Sequence, residues 1–273
     1  MKAPAFEYLR PKSLDEAVAE LARGAGEARL IAGGQSLVPM LNLRIAAPSL
    51  LIDIARLPEL AMVGEEADSV SLGAGITHAM IEDGRVPDPS RGLMPQVAAG
   101  LAYRAIRNRG TIGGSLALAD PAAEWPAVLT ALGAELRLRG PNGQRTVKCA
   151  EFVTGVFATA LGEDEIVEDL RIPKLPRGAR WGYVKLCRKS GEFANALAVA
   201  VADRASGHAR IVLGAAEGAP LVLEEASRAL AEGRSDPSAI AVDLDRAADR
   251  HFDGFQRRLH IAAATRATQQ ATA

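Results

Sequence analysis

Cysteine is scarce: Cys149 and Cys187 are the only two in 273 residues, far apart and without CxxC spacing. That excludes a disulfide framework, an iron–sulfur site or a structural zinc site built by this chain alone, and it predicts a reducing, cytoplasmic compartment. Aromatic residues are only 4% of the chain, too few platforms for stacking unpaired bases. No charge sign dominates: 32 Lys and Arg face 33 Asp and Glu, a net charge of −1, which removes the electrostatic case for nucleic acid or an anionic membrane as partner. The opening MKAPAFEYLRPKS carries charges and prolines where a signal peptide needs an apolar region. No apolar run approaches membrane-spanning length. GxGxxG is missing, since GAGITH at Gly73 fails at its last position, and so is GxxxxGK[ST]. Neither a Rossmann dinucleotide fold nor a P-loop hydrolase is supported. GGQSL and GGSLA also miss the GxSxG elbow of a serine nucleophile.

What is present is an ordinary globular composition, 48% hydrophobic and 24% charged, long enough for one large domain or two. The segment from Ser13, SLDEAVAELARG, has a capping-box pattern (Ser13, Glu16), an apolar face of Leu14, Ala17, Val18 and Leu21, and Gly24 as a stop. A buried strand at 28–32, a Gly33–Gly34 loop, a helix with Ser36 as N-cap and a strand at 50–54 follow, an α/β unit with a parallel strand pair. After Pro58 the pattern becomes α+β, with two short strands around an acidic turn and helices from Thr77 and near Leu93. In ADPAAEWPAVLTALG, Asp120 is read as the cap, Pro121 as the first helical residue and Gly133 as the terminator. Strands are expected at AELRLRG, RTVKCAEF and EIVEDLRIP. IPKLPRGAR reads as a domain boundary; beyond it come three strands, then alanine-rich helices ending in a frayed tail, ATRATQQATA.

Two glycine loops carry the chemistry. LIAGGQSLVPML spans Leu30 to Leu41, and RNRGTIGGSLALADPAAEWPAVL comes later; each places bare backbone where a helix begins. Successive N–H groups at such a junction converge on an anion, and the helix dipole adds to the attraction. One glycine pair is most often just a tight turn; two of them point to a long diphosphate ligand held from both sides.

These residues carry a resemblance. LIAGGQSLVPMLNLRI, LIDI, LPEL, GAGITH, IRNRGTIGGSLALADPAAEWPA and EIVEDLRIP…YVKLCRKSGEFA resemble, in order and over nearly the whole chain, the FAD-binding medium subunit of the xanthine dehydrogenase and carbon monoxide dehydrogenase family of molybdenum hydroxylases. The resemblance implies an α+β chain with an α/β N-terminal part. Its FAD-binding fold would be of the vanillyl-alcohol-oxidase (PCMH) type, over residues 1–175 with subdomains 1–57 and 58–175, followed by a small domain, 176–273, of a three-stranded antiparallel sheet with helices. It implies non-covalent FAD wrapped by Leu30, Ile31, Ala32, Gly33, Gly34, Gln35, Ser36 and Leu37, with a second cradle of Thr111, Ile112, Gly113, Gly114 and Ser115. Leu101 falls beside the dinucleotide, Glu124 at a ribose or adenosine hydroxyl, and Val167 and Lys185 near the isoalloxazine, so that Glu124 and Lys185 are expected at opposite ends of the cofactor.

Two departures stand out: Tyr103, Arg104 and Ala105 replace a Gly-Asp and Gln pattern, and Leu118 stands where His is frequent. By resemblance the chain is an electron-transfer subunit. It takes electrons from an iron–sulfur small subunit beside a molybdenum-binding large subunit, in a dimer of heterotrimers, and passes them to NAD, a quinone or oxygen. The iron–sulfur clusters and molybdenum–pterin belong to those partners. A stand-alone FAD oxidase and a non-catalytic phosphate-ligand-binding module are the alternatives. No catalytic or metal-ligating residue is assigned. His78 is read as a capping or packing residue, His208, His251 and His260 as surface or helix residues, Trp125 and Trp181 as core or interface anchors. Cys187 is read as packing, and Arg107 and Arg109 as either phosphate or partner contacts or solvated loop charges.

Overall fold

The computed structural model describes residues 2–247, 250 and 252–273; the expectation for His251 lies outside the described residues. The chain opens with β1 (Glu7–Leu9), α1 (Leu14–Arg23), β2 (Ala28–Ile31), α2 (Leu37–Asn42) and β3 (Leu50–Asp53). Ser13 caps α1 by accepting from the Glu16 amide, and the apolar face read from the sequence is the buried one. The strands form a three-stranded sheet, β1-β3-β2, with both pairs parallel.

The middle of the chain holds β4 (Val63–Glu65), β5 (Ser69–Gly73), α3 (His78–Glu82), α4 (Leu93–Ala99), α5 (Arg104–Arg107), α6 (Ile112–Leu118), α7 (Glu124–Leu132), β6 (Glu135–Gly140), β7 (Gly143–Lys148), α8 (Cys149–Phe152), β8 (Val153–Gly155), β9 (Ala158–Thr159) and β10 (Ile166–Pro173). Five strands pair antiparallel in the order β4-β5-β10-β6-β7, so the last strand of the segment fills the centre of the sheet. Two local expectations need correction. CAEF does not extend β7 but turns into α8, which buries Cys149 and Phe152. The helix expected from Pro121 starts at Glu124, because Asp120 closes a separate turn, its carboxylate accepting from Ala122 N and its carbonyl from Ala123 N. Pro126 then falls in the first turn, where the missing N–H costs nothing.

The remainder consists of β11 (Arg180–Leu186), β12 (Ala196–Asp203), β13 (His208–Gly214), β14 (Leu221–Val222), α9 (Glu224–Ala231), α10 (Pro237–Arg246) and α11 (Gly254–Thr272). The three long strands expected here pair antiparallel, and the two-residue β14 adds a fourth to their edge. β12 is buried along its whole length and separates two cores. Leu197, Val199 and Val201 face the core shared with α7, while Ala196, Ala198, Ala200 and Ala202 face the helices that end the chain.

The terminal segment is not frayed. α11 runs to Thr272 with Ala263, Ala264, Ala267 and Ala271 buried, because a stripe of alanines at helical spacing meets the alanine face of β12. The approach is close enough that a Cβ on Gly182 would lie 1.9 Å from the Ala267 carbonyl oxygen. Gly182→Val should therefore lower stability by about 1–3 kcal/mol or more through overpacking. Urea unfolding checks this, and an unchanged midpoint would mean that α11 does not seat on the sheet.

Candidate functional site

The two glycine loops touch. Gly33 must be glycine because a Cβ there would lie 2.0 Å from the Arg109 carbonyl oxygen and 2.9 Å from Gly110 Cα. Arg109 Nε also donates to the Gly33 carbonyl at 3.4 Å, so Arg109 is a loop-to-loop contact. Gly34 is bare for a different reason, a φ of +74° that L side chains rarely adopt. Gln35 and Ser36 are exposed, whereas Leu30 and Ile31 lie half-buried in β2 and Ala32 and Leu37 half-buried on either side of the turn. Ser36 holds the N-cap position of α2 without capping it: its backbone is already helical and its side chain makes no cap bond. The first turn is closed instead by Val38 N donating to Gly34 O, 3.1 Å.

In the second loop Thr111 caps α6, its Oγ1 accepting from Gly114 N at 3.0 Å and its carbonyl from Ser115 N at 3.0 Å. Ile112 N and Gly113 N donate to the carbonyls of Ile76 and Ala74, both at 3.0 Å. Those two amides are thus committed to protein, and Gly113 is a packing glycine whose Cβ would meet Ala74 Cβ at 2.4 Å. Gly114 differs. It is exposed, and a Cβ there would approach only Thr111 Oγ1, at 2.8 Å. Gly114 and the half-buried Ser115 are what this loop presents outward.

Glu124 and Lys185 are brought together rather than apart. Lys185 Nζ donates to Glu124 Oε1 at 2.6 Å and to the Gly100 carbonyl at 3.4 Å, with the two side chains 10% and 4% exposed. An extended dinucleotide cannot separate groups that form one ion pair, so the expectation of opposite ends is corrected. Burial raises the Glu124 carboxyl above the ordinary range, and the Lys185 charge opposes that rise. Tyr183 projects from the same face of β11 two residues earlier, and its buried hydroxyl has no hydrogen-bond partner among the described residues; burial and the Glu124 charge push its pKa up. Tyr183 has no motif to mark it in the sequence; its period-two spacing from Lys185 is the available signal.

Leu101 sits next to Gly100, half-buried, and forms an isolated bridge with Gly191. Its carbonyl accepts from Arg107, which also grips Glu82 at 2.8 Å and 3.0 Å with a side chain only 12% exposed; Arg107 is a structural clamp, not a solvated charge. Val167 is buried in the core through β10 rather than presented at the loops. Of the departures, Tyr103 is exposed, Arg104 pairs with Glu82 and Asp83, and Leu118 ends α6 half-buried. Trp181 donates to the Arg91 carbonyl at 3.0 Å. Cys149 is buried, its thiol pushed up to about 12 by desolvation, and is therefore inert. His208 is exposed on β13, and His260 is buried on α11 between the carbonyls of Gln256 and Ala215. Among the described residues no group of three or more His, Cys, Asp or Glu could hold a metal ion, and no helix is long and apolar enough to cross a membrane.

Beneath the junction of the loops lies His78. Its amide donates to Gly110 O at 3.0 Å, a Cβ on Gly110 would meet its ring at 2.9 Å, and its Nδ1 accepts from Trp125 Nε1 at 3.1 Å. An indole N–H can only donate, so Nδ1 must be unprotonated. Burial, followed by the Arg107 charge, pushes the imidazole down to about 4 from 6.5. Between those values the unfolded chain binds the extra proton, so stability is full above pH 6.5 and falls as pH drops toward 4, by on the order of 2–3 kcal/mol. His78→Gln, which keeps an acceptor for Trp125 but does not titrate, should flatten that acid limb of urea midpoint against pH. An unchanged limb would assign the acid loss to other groups.

Comparison with known proteins identifies the family. The FAD-binding domain of molybdopterin dehydrogenases matches residues 4–175. The carbon monoxide dehydrogenase medium chain of Hydrogenophaga pseudoflava is 42% identical over 217 residues, covering 78% of this chain and 75% of that one. The nicotine 6-hydroxylase medium subunit of Paenarthrobacter nicotinovorans is 40% identical over 223 residues, 80% and 77% of the two chains. The solved carbon monoxide dehydrogenase of H. pseudoflava superposes with a TM-score of 0.92 at 35% identity, covering 99% of this chain and 98% of that one. The fold and its glycine loops define a flavoprotein component of an oxidoreductase. The chain belongs to the FAD-binding medium subunits of the xanthine dehydrogenase and carbon monoxide dehydrogenase family, with FAD as its own cofactor. Its residues leave a place for that group: Gly34 and Gly114 present bare backbone at the two loops, and the buried Tyr183 hydroxyl has no partner among the described residues.

Proposed function

We propose that this chain binds FAD non-covalently across the paired glycine loops, takes electrons from an iron–sulfur partner subunit and passes them to an external acceptor such as NAD, a quinone or oxygen. The observation that carries this reading is the contact at Gly33, which sets two bare helix-entry loops side by side. Within residues 30–37 and 111–115, Gly34, Gln35, Ser36, Gly114 and Ser115 would face the diphosphate while Ile112 and Gly113 hold the second loop against Ile76 and Ala74; Leu101, Glu124 and Lys185 would lie around the rest of the dinucleotide, with Val167 behind them in the core. Bound FAD supplies the redox chemistry; the chain supplies binding, orientation and electrostatics. Relatives named as medium chains and subunits support a heteromeric assembly, which we extend to a dimer of heterotrimers with iron–sulfur and molybdenum subunits in the cytoplasm. The family match over 4–175 supports a division into 1–175, with subdomains 1–57 and 58–175, and 176–273.

Co-expression with an iron–sulfur and a molybdenum subunit should yield a complex in which organic substrate reduces the flavin, whereas the chain alone is reduced only by small chemical or pyridine-nucleotide donors. Substrate-dependent reduction of the isolated chain would favour a stand-alone oxidase, and a chain that cannot be loaded with FAD would leave only a phosphate-ligand module. Acid precipitation should release all the yellow colour. Gly114→Val should disturb the fold only through the α6 cap, about 1 kcal/mol, yet abolish stoichiometric FAD. A folded Gly114→Val chain with full flavin absorbance would show that the diphosphate lies elsewhere.

A further inference from the structure

Resting on the electron-transfer reading above, we propose that α2 and the turn after it are the seat of the iron–sulfur subunit, with Val38, Leu43 and Ile45 as the apolar contacts and Arg44 as the charged one. The three apolar side chains are 42%, 59% and 70% exposed. Val38, Pro39, Asn42 and Leu43 form one exposed face of the helix at spacings of three and four, opposite the buried Leu41. Arg44 is the one charged residue from Leu30 to Ile52, in a chain whose charged content is 24%. Exposed apolar side chains in surroundings stripped of charge mark the centre of an interface, not free surface. Other exposed hydrophobic residues lack that setting: Phe193 follows Arg188, Lys189 and Glu192 in the chain, and Phe255 precedes Arg257 and Arg258.

The surface is held rigidly. α2 ends in a Schellman turn, with Ile45 N donating to Met40 O at 2.9 Å, Arg44 N to Leu41 O at 3.0 Å, and Arg44 at a φ of +57° where glycine is usual. The hydrophobic residue after the left-handed position of such a turn ordinarily packs back on its helix, yet Ile45 stays in the open. Arg44 Nε donates to the Lys2 carbonyl at 3.4 Å, and the other two guanidinium nitrogens have no partner among the described residues. A surface that fits is therefore aliphatic, with a carboxylate placed to meet Arg44. The patch begins at the first glycine loop: Val38 N donates to Gly34 O at 3.1 Å, and a Cβ on Gly34 would lie 3.2 Å from Val38 Cγ2. That continuity selects the occupant. Electrons must cross to the flavin from a cluster in another chain, so the subunit that carries the cluster has to stand against the flavin loops. The molybdenum subunit, whose electrons pass through the clusters, needs no contact there.

The test uses the complex co-expressed with its iron–sulfur and molybdenum subunits. Ile45→p-benzoylphenylalanine, irradiated in that complex, should cross-link to the iron–sulfur subunit, with the joined peptides identified by mass spectrometry. Ile45→Glu and Arg44→Glu should each weaken association with that subunit about tenfold or more, read by size-exclusion chromatography over a dilution series. Their FAD content and urea midpoint should match those of the wild-type chain, because both side chains lie outside the core. Cross-links confined to the molybdenum subunit or to a second copy of this chain overturn the proposal. So does an assembled complex with no cross-link at Ile45, or undiminished assembly of Ile45→Glu. If the glutamate variants do not fold, the cross-link decides alone. A wild-type chain that forms no complex with an iron–sulfur subunit would instead defeat the electron-transfer reading itself.

Discussion

At Gly33 the backbone of one loop lies so close to Arg109 and Gly110 of the other that no side chain fits between them. The rest of the site follows from this contact as a relay of packed groups. Gly110 lies against the His78 ring, His78 accepts from Trp125, and Trp125 follows Glu124 in α7. Glu124 then reaches across to Lys185 on the C-terminal sheet. The links are close backbone and ring contacts, one buried indole-to-imidazole hydrogen bond, a step along α7 and a buried ion pair, so separating the loops would disturb groups packed and paired beneath them. The site is held by the core beneath it rather than by the loops' own preferences.

α7 is the element on which the two parts of the molecule converge. Every residue from Glu124 to Leu132 is buried, and the helix packs on β12 and β13 on one side and joins the core of the five-stranded sheet on the other. A helix buried all round has no wet face on which to place a charge. Its one carboxylate is accordingly at the end, paired with a lysine and next to the helix amides. The same economy of polar groups appears at Arg107, whose guanidinium is drawn in by Glu82 and the carbonyls of Leu101 and Ala102. That clamp ties the 101–102 turn, where Ala102 has a φ of +40°, to α3 and so steadies the segment that also carries Gly100, the second contact of Lys185.

The C-terminal layer shows how small side chains set distance. β12 alternates larger aliphatics toward α7 with alanines toward α11, and Gly182 on its neighbour removes the last obstacle to the helix. An alanine stripe has little hydrophobicity of its own, so α11 depends on this fit for its order and not on helix propensity alone.

Local chemistry was enough to read much of this from the amino-acid sequence. Ser13 and Glu16, the Gly24 and Gly133 stops, the parallel unit around Gly33 and Gly34, and the long strands of the five- and four-stranded sheets are short-range patterns that one or two turns of chain decide. The glycine loops were legible for the same reason, because bare backbone at a helix entry is visible in four or five letters. Tertiary structure alone decided why each glycine is bare: Gly33 and Gly113 for contact with distant backbone, Gly34 for its dihedral angle, Gly114 for an open face. It alone turned the polar tail into a docked helix and converted Arg107 from a loop charge into a clamp. The pairing of Glu124 with Lys185 joins residues far apart in the chain, and no local pattern encodes such a contact; it exists because α7 and β11 are pressed together across a shared core.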